Sequence, residues 1–231
     1  MSLLTSFRSS SDEGAVAVRS FSGGSGTNDE FRLVKWHFLA HSNTAPVGGK
    51  HPRVILITSA NEGEGKSYVS HHLAANFALD PNVQLTLVDA DFDNPALGSS
   101  SWMGGSSSGP GLLDYLEDHT TDHSRILMST GLPNVKVILS GSRRDNAPEL
   151  LASGRVEHLM SALAANENAF VIIDAGPVLS GGAAVLARSA GQIGFVLAAN
   201  RTRRSDINQS LATLDRIAGP IDENSVGLIF N

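Results

Sequence analysis

The sequence predicts a doubly wound α/β domain whose sheet is mostly parallel and covered on both faces. Three observations carry that expectation. Short, uninterrupted apolar runs recur along the chain, stretches of helical length separate them, and aspartates stand where two of the runs end. Strands that read as continuous apolar runs rather than alternating ones are buried on both sides, which is the mark of a parallel sheet between helices.

Taken in order, Val54-Ile55-Leu56-Ile57 predicts the first core strand and Lys66 to Leu79 the helix after it. Val83 to Val88 and Val135 to Leu139 predict two further strands, and Glu149 to Ala164 reads as one helix. Phe170-Val171-Ile172-Ile173 is another buried run, followed by a helix over Ala183 to Ser189. Ile193 to Ala198, Ser205 to Ile217 and Val226 to Phe230 predict strand, helix and strand. In such sheets ligands lie beyond the carboxyl ends of the strands, so the residues just after each strand are the informative ones.

Outside this pattern, residues 1–27 are rich in Ser and Gly and read as a flexible arm too polar to offset the cost of ordering. Residues 28–50 read as a helix and linker: Asn28 or Asp29 caps, and Phe31, Val34 and Phe38 recur at helical spacing over Asn28 to Leu39. Residues 51–231 form the main domain, interrupted by a Gly- and Ser-rich loop over Ser99 to Gly111. A net charge of -6 argues against broad, sequence-independent nucleic-acid binding. With no cysteine, disulfides, thiolate metal sites and cysteine catalysis are excluded. No apolar run approaches the ~20 residues of a membrane-spanning helix, and Asp12 and Glu13 spoil a secretory signal. The expected location is cytoplasmic, with any membrane association supplied by a partner.

The chemistry concentrates after the first core strand. Ser59-Ala60-Asn61-Glu62-Gly63-Glu64-Gly65-Lys66-Ser67 has the spacing of a P-loop, with Ala60 where the strict pattern has Gly. Gly63 and Gly65 let backbone amides close around phosphate oxygens, and the helix starting near Lys66 adds unpaired N–H groups and a positive dipole end. Lys66 is expected to stabilise phosphate charge, and the Ser67 hydroxyl to ligate Mg²⁺. Asn61, Glu62, Gly63, Glu64, Gly65, Lys66, Ser67 and Tyr68 are thus the expected nucleotide-binding stretch. Asp89 and Asp91 end the second strand two residues apart, so both point the same way. Asp174 ends the run Phe170 to Ile173 in the manner of a Walker B carboxylate. Asp89 and Asp174 are the expected metal carboxylates, and Asp91 the candidate for orienting a nucleophile.

Together these residues resemble the ATPase domain of bacterial tyrosine autokinases of polysaccharide export, a branch of the MinD/ParA-like P-loop ATPases. The resemblance is carried by Ser59–Ser67, Val88–Pro95 and Val171–Pro177. It extends to Gly109 through Leu116, to Gly141 through Leu151 with Asn146-Ala147-Pro148-Glu149-Leu150-Leu151, and to Thr202-Arg203-Arg204-Ser205. It implies a cytoplasmic, ATP- and Mg²⁺-binding ATPase or kinase-like protein of polysaccharide biosynthesis or export, working with a membrane polysaccharide co-polymerase-like activator. It also implies that Asn231 touches the adenine. A helix before the core mediates self-association in that family, and Asp29, Arg32 and Lys35 stand at its spacings. An ordinary surface helix with i,i+3 ion pairing explains them equally well.

Three departures qualify the resemblance. Asp93 stands where the family's second motif carries Arg, which reverses the local charge beside the phosphates. The chain stops at Asn231 without the family's Tyr-rich tail and holds only Tyr68 and Tyr115, so tyrosine autophosphorylation is not expected. Asn61 occupies the place of the extra Lys of MinD and ParA proteins. Two other readings stay open: a nucleotide-dependent positioning switch, and a nucleotide-binding scaffold with reduced catalysis. His71 and His72 point about 100° apart on a helix and do not make a two-His metal face. For Arg143, Arg144, Arg201, Arg203 and Arg204, a solvated loop competes with a nucleotide or subunit contact.

Overall fold

The computed structural model describes residues 17–18, 27–44, 46, 48–99, 109–219 and 226–231. Eight strands form one sheet: β1 (Ala17–Val18), β2 (His51–Ser59), β3 (Gln84–Ala90), β4 (Met128–Ser129), β5 (Val135–Ile138), β6 (Ala169–Ala175), β7 (Ala190–Leu197) and β8 (Val226–Phe230). Among the described residues seven α-helices accompany them: α1 (Thr27–Ala40), α2 (Lys66–Ala78), α3 (Leu112–Glu117), α4 (Ala147–Leu151), α5 (Arg155–Leu163), α6 (Gly182–Leu186) and α7 (Arg204–Ala218). The strand order is β1-β8-β7-β2-β6-β3-β5-β4, and every pairing is parallel except the short β4–β5 one. The doubly wound, mostly parallel sheet expected from the apolar runs is the observed fold.

Side chains alternate across this sheet, as the two-residue period of a strand requires. Ile55 and Ile57 of β2 join a core on one face with Val69, Leu73 and Phe77 of α2 and Phe31, Val34 and Phe38 of α1. Val54 and Leu56 face the other way, into a core shared with α3, α4, α5, α6 and α7. Burial on both sides explains why the strands lack polar alternation.

The structure amends several boundaries. Helix α1 is part of the main core: Phe31, Val34 and Phe38 are buried, and Gln192 of β7 donates its side-chain amide to the carbonyls of Phe38 (3.0 Å) and Pro52 (2.6 Å). Within the stretch read as an arm, Ala17 and Val18 pair in parallel with Leu228 and Ile229, extending the sheet beyond β8. The rest of residues 1–26 lies outside the described residues, as does most of the Gly- and Ser-rich loop. The single helix read over Glu149 to Ala164 is two, α4 and α5, because Gly154 adopts a left-handed conformation (φ 75°) that ends one helical path and caps the next. The expected helix over Ala183 to Ser189 is only the short α6.

Lys35 of α1 reaches onto α2. Its ammonium donates to the Asn76 carbonyl of α2 at 3.1 Å and lies 5.6 Å from the centre of the Phe77 ring. It is thereby tied to its own fold, while Asp29 and Arg32 form an exposed ion pair at 3.2 Å.

The two faces of α1 predict opposite mutational costs. Phe38→Ala should destabilise the protein by about 3–5 kcal/mol, whereas Trp36→Ala, 65% exposed on the same helix, should stay within about 0.5 kcal/mol. Urea denaturation followed by circular dichroism measures both; equal effects would contradict the packing of α1 described above.

Candidate functional site

Strand β2 lies between β7 and β6, so its carboxyl end opens near the middle of the sheet. The loop after it runs from Ala60 to Gly65, and α2 begins at Lys66. Gly63 and Gly65 both have positive φ, 70° and 95°. At Gly65 a glycine is required twice over: the backbone is left-handed, and an added Cβ would lie 2.0 Å from the Asn231 side-chain nitrogen. That nitrogen donates to the Glu64 carbonyl at 3.1 Å. Asn231, expected to touch the adenine, here makes a structural contact with the loop that the sequence did not disclose. Arg201 also reaches the loop, its guanidinium 4.0 Å from where a Gly63 Cβ would stand.

Four ionisable groups gather at this edge of the sheet. Asp89 and Asp174 are register partners on β3 and β6, and both are buried. The Lys66 ammonium lies 3.9 Å from Asp91 Oδ2, with both side chains buried. Burial pushes the Asp174 carboxyl up to about 7; the Ser67 hydroxyl pulls it down, while the Asp89 charge adds to the rise. Ser70 donates to Asp174 Oδ1 at 3.0 Å, but Oδ2 is buried and has no hydrogen-bond partner among the described residues. Burial likewise raises Asp89, to about 6, against the opposing pull of the Leu97 and Asp91 amides. Those amides reach Oδ2 at 2.9 Å and Oδ1 at 3.4 Å. Asp89 therefore organises the loop that carries Asp91, and Asp174 is the carboxylate with an oxygen to spare.

Three carboxylates and one ammonium crowd a low-dielectric edge, which favours a further positive charge there. Among the described residues no three His, Asp or Glu side chains form a self-sufficient metal site. The donor set of Ser67 and Asp174 fits Mg²⁺, which takes only one or two protein ligands and completes its shell with water and phosphate oxygens.

The other expected nucleotide-binding residues are placed as follows. Asn61 donates its backbone N–H to Glu64 Oε2 (2.9 Å) and its side-chain amide to Glu64 Oε1 (3.4 Å) and Asp206 Oδ2 (3.1 Å). Glu64 is buried, its carboxylate taken up within the protein. Glu62 is exposed. Tyr68 is 40% exposed, its ring packed on His72 at 4.0 Å between centroids. His72 in turn stacks on Phe31, in keeping with a packing role.

Beyond β3 and β6 a cavity of about 270 Å³ is lined by Asp91, Asp93, Arg143, Pro148, Gly176 and Ser180, among others. Asp91 belongs to both the cavity and the Lys66 pair. Asp93 is matched by Arg143, 3.8 Å away across an exposed pair, so the charge reversal expected at position 93 has a cation beside it. Arg144 is spent on structure, bonded to Asp114 at 3.0 Å and Glu117 at 2.8 Å.

No protein-family model matches the chain. Among curated proteins, it is 28% identical over 196 residues to tyrosine-protein kinase CpsD of Streptococcus agalactiae, covering 84% of this chain and 82% of that one. CpsD of Streptococcus pneumoniae is 26% identical over the same length, again covering 84% of this chain and 82% of the relative. Of solved structures, the chimerical protein CapA2B2 matches with a TM-score of 0.73 at 22% identity, covering 92% of each chain. The kinase domain of Escherichia coli tyrosine kinase ETK matches with a TM-score of 0.72 at 25% identity, over 89% of this chain and 75% of that one. A ParA family ATPase from Chlorobium tepidum shares the fold with a TM-score of 0.53 at 18% identity, over 78% and 73%. In sequence and in fold the chain is similar to bacterial tyrosine-protein kinases, and it shares the P-loop ATPase fold with their kinase domains.

Proposed function

We propose that the chain binds ATP with Mg²⁺ at the Gly63–Ser67 loop and catalyses hydrolysis or transfer of the terminal phosphoryl group. We further propose that it serves polysaccharide biosynthesis or export beside a membrane co-polymerase-like activator, as its family resemblance implies. The observation that carries the catalytic reading is the charge imbalance: Lys66, Asp91 and Asp174 are buried together, and among the described residues one Asp174 oxygen has no hydrogen-bond partner. A magnesium triphosphate supplies both the cation that the carboxylates favour and the anion that Lys66 and the start of α2 favour.

In this reading the amides flanking Gly63 and Gly65 hold phosphate oxygens, aided by the dipole of α2. Lys66 would exchange its long contact with Asp91 for the phosphate. Asp91, released from that pairing, would accept or orient the proton of the attacking hydroxyl. Ser67 and Asp174 would hold Mg²⁺, which when bound neutralises charge on the phosphate oxygens.

The acceptor is proposed to be water or a hydroxyl outside this chain's folded domain. Tyr115 is buried beneath the Arg155 guanidinium, 4.4 Å from its ring, which argues against its phosphorylation in place, whereas Tyr68 is 40% exposed on α2 with its ring against His72. Tethering of both Asp89 oxygens to backbone amides favours a second reading, a nucleotide-binding scaffold with reduced turnover. Incubation of the protein with γ-labelled ATP separates the readings through the fate of the label: released phosphate, phosphotyrosine, or bound and unchanged ATP.

Two outcomes are expected. Lys66→Met should lower phosphoryl turnover by about 100-fold or more with the circular dichroism spectrum unchanged; turnover equal to the parent's would contradict the assignment. The second concerns pH. Because the Asp174 pKa is raised on folding, its contribution to stability is full below the ordinary carboxylate range and is lost as pH rises through about 7. Asp174→Asn removes that slope. Without nucleotide, the variant should therefore gain in unfolding midpoint relative to the parent between pH 5 and pH 8. A gap constant with pH would contradict the buried, proton-retaining carboxyl.

A further inference from the structure

We infer that Thr202 is a positioning residue for the phosphate loop, acting through Glu64. The inference rests on the ATP-binding reading for its consequence, but its structural part stands on contacts among the residues themselves. A loop with two left-handed glycines has little stiffness of its own, since glycine loses more conformational freedom on ordering than any other residue. Something outside it must hold its shape if the phosphate-binding amides are to be set before the ligand arrives.

Glu64, between the two glycines, is that point of attachment. Only 3% of it is exposed. Its carboxylate accepts the Asn61 backbone N–H and side-chain amide across the base of the loop, and the Thr202 hydroxyl from the connection between β7 and α7. Thr202 is itself fixed, because its oxygen accepts the Ala198 N–H at 2.9 Å. A hydroxyl has one proton. With the Ala198 amide donating to Thr202 Oγ1, that proton is directed to the carboxylate, a charge-assisted bond and the stronger choice over the Ala198 carbonyl at 3.3 Å.

Two further ties run the same way. The Asn61 amide reaches Asp206 in the first turn of α7. The Asn231 amide holds the Glu64 carbonyl while its backbone is pinned to Leu197 and Ala199, at 2.8 Å each. The loop is thus anchored to a segment about 138 residues further along the chain, and Thr202 is the tie that directly meets the buried charge. Pre-ordering the loop lowers the entropy lost when phosphate binds. Its loss should appear in affinity more than in the chemical step.

The test compares the parent with Thr202→Val, which keeps the shape and removes the hydroxyl, and Thr202→Ser, which restores it. Hydrogen exchange of the Ser59–Lys66 amides without nucleotide reads the tie itself; ATP titration by calorimetry reads its consequence. Thr202→Val should exchange faster in this loop and bind ATP about tenfold more weakly, with kcat within about threefold and Thr202→Ser close to the parent. Thr202→Ala, which also lacks the hydroxyl, should show the same pattern if Thr202→Val fails to fold. Parent-like exchange and affinity in Thr202→Val would overturn the inference, as would a loss that Thr202→Ser does not restore. If exchange changes as expected but the parent binds no ATP, the nucleotide reading fails while the Thr202 tie stands.

Discussion

Burial of charge at the end of the sheet is the constraint on which the rest of this structure depends. Asp89 and Asp174 sit side by side on β3 and β6, Asp91 follows, and one ammonium, Lys66, lies among them. Removing such groups from water costs several kcal/mol per ion unless each finds a partner. The fold supplies partners unevenly. Asp89 receives the amides of the loop that follows it, Asp91 receives Lys66 and the Asn94 amide, and Asp174 receives Ser70 on one oxygen and, among the described residues, no hydrogen bond on the other, with the Ser67 hydroxyl close by. The remaining electrostatic tension is what makes this edge of the sheet a site rather than only a junction.

The sequence revealed the fold to the extent that local physics encodes it. The runs Val54 to Ile57 and Phe170 to Ile173 could only be strands buried on both faces, and the Gly-rich turn before Lys66 marked where a helix starts at a strand end. What it concealed was either local and ambiguous or distant. Gly154 reads as a tolerable residue in a helix until its left-handed conformation is seen. The pairing of Ala17 and Val18 with β8 joins residues more than two hundred positions apart and leaves no periodic signal. Lys66, Ser67, Asp89, Asp91 and Asp174 were singled out by position, and the structure gathers Lys66, Asp89, Asp91 and Asp174 at one edge. The division of labour between Asp89 and Asp174 was not legible, because it depends on which carboxylate the Leu97 amide reaches. The part played by Thr202 was hidden for the same reason: nothing in Arg201-Thr202-Arg203 announces a buried glutamate on another element.

Departures from the family pattern acquire physical meaning in three dimensions. Asp93 does not stand alone in front of the phosphate site but shares the neighbouring cavity with Arg143. Lys35, at a spacing that fits a contact surface and an ordinary surface helix equally, donates to the Asn76 carbonyl of α2. Asn61, where a lysine stands in related ATPases, is a neutral amide committed to Glu64 and Asp206. Around the loop itself, positions 61 and 93 carry no cation, so in the proposed reading the phosphate charge would fall more heavily on Lys66, on the start of α2 and on a bound metal.

The central claim is that these groups converge on a magnesium triphosphate. A crystal structure with a non-hydrolysable ATP analogue and Mn²⁺ in place of Mg²⁺ tests it most directly, since anomalous scattering locates the metal without reference to the protein. The account predicts phosphates against the Gly63–Ser67 amides, the Lys66 ammonium turned from Asp91 toward them, and a single metal peak between Ser67 and Asp174. Nucleotide bound elsewhere, or a metal peak remote from Asp174, would contradict it.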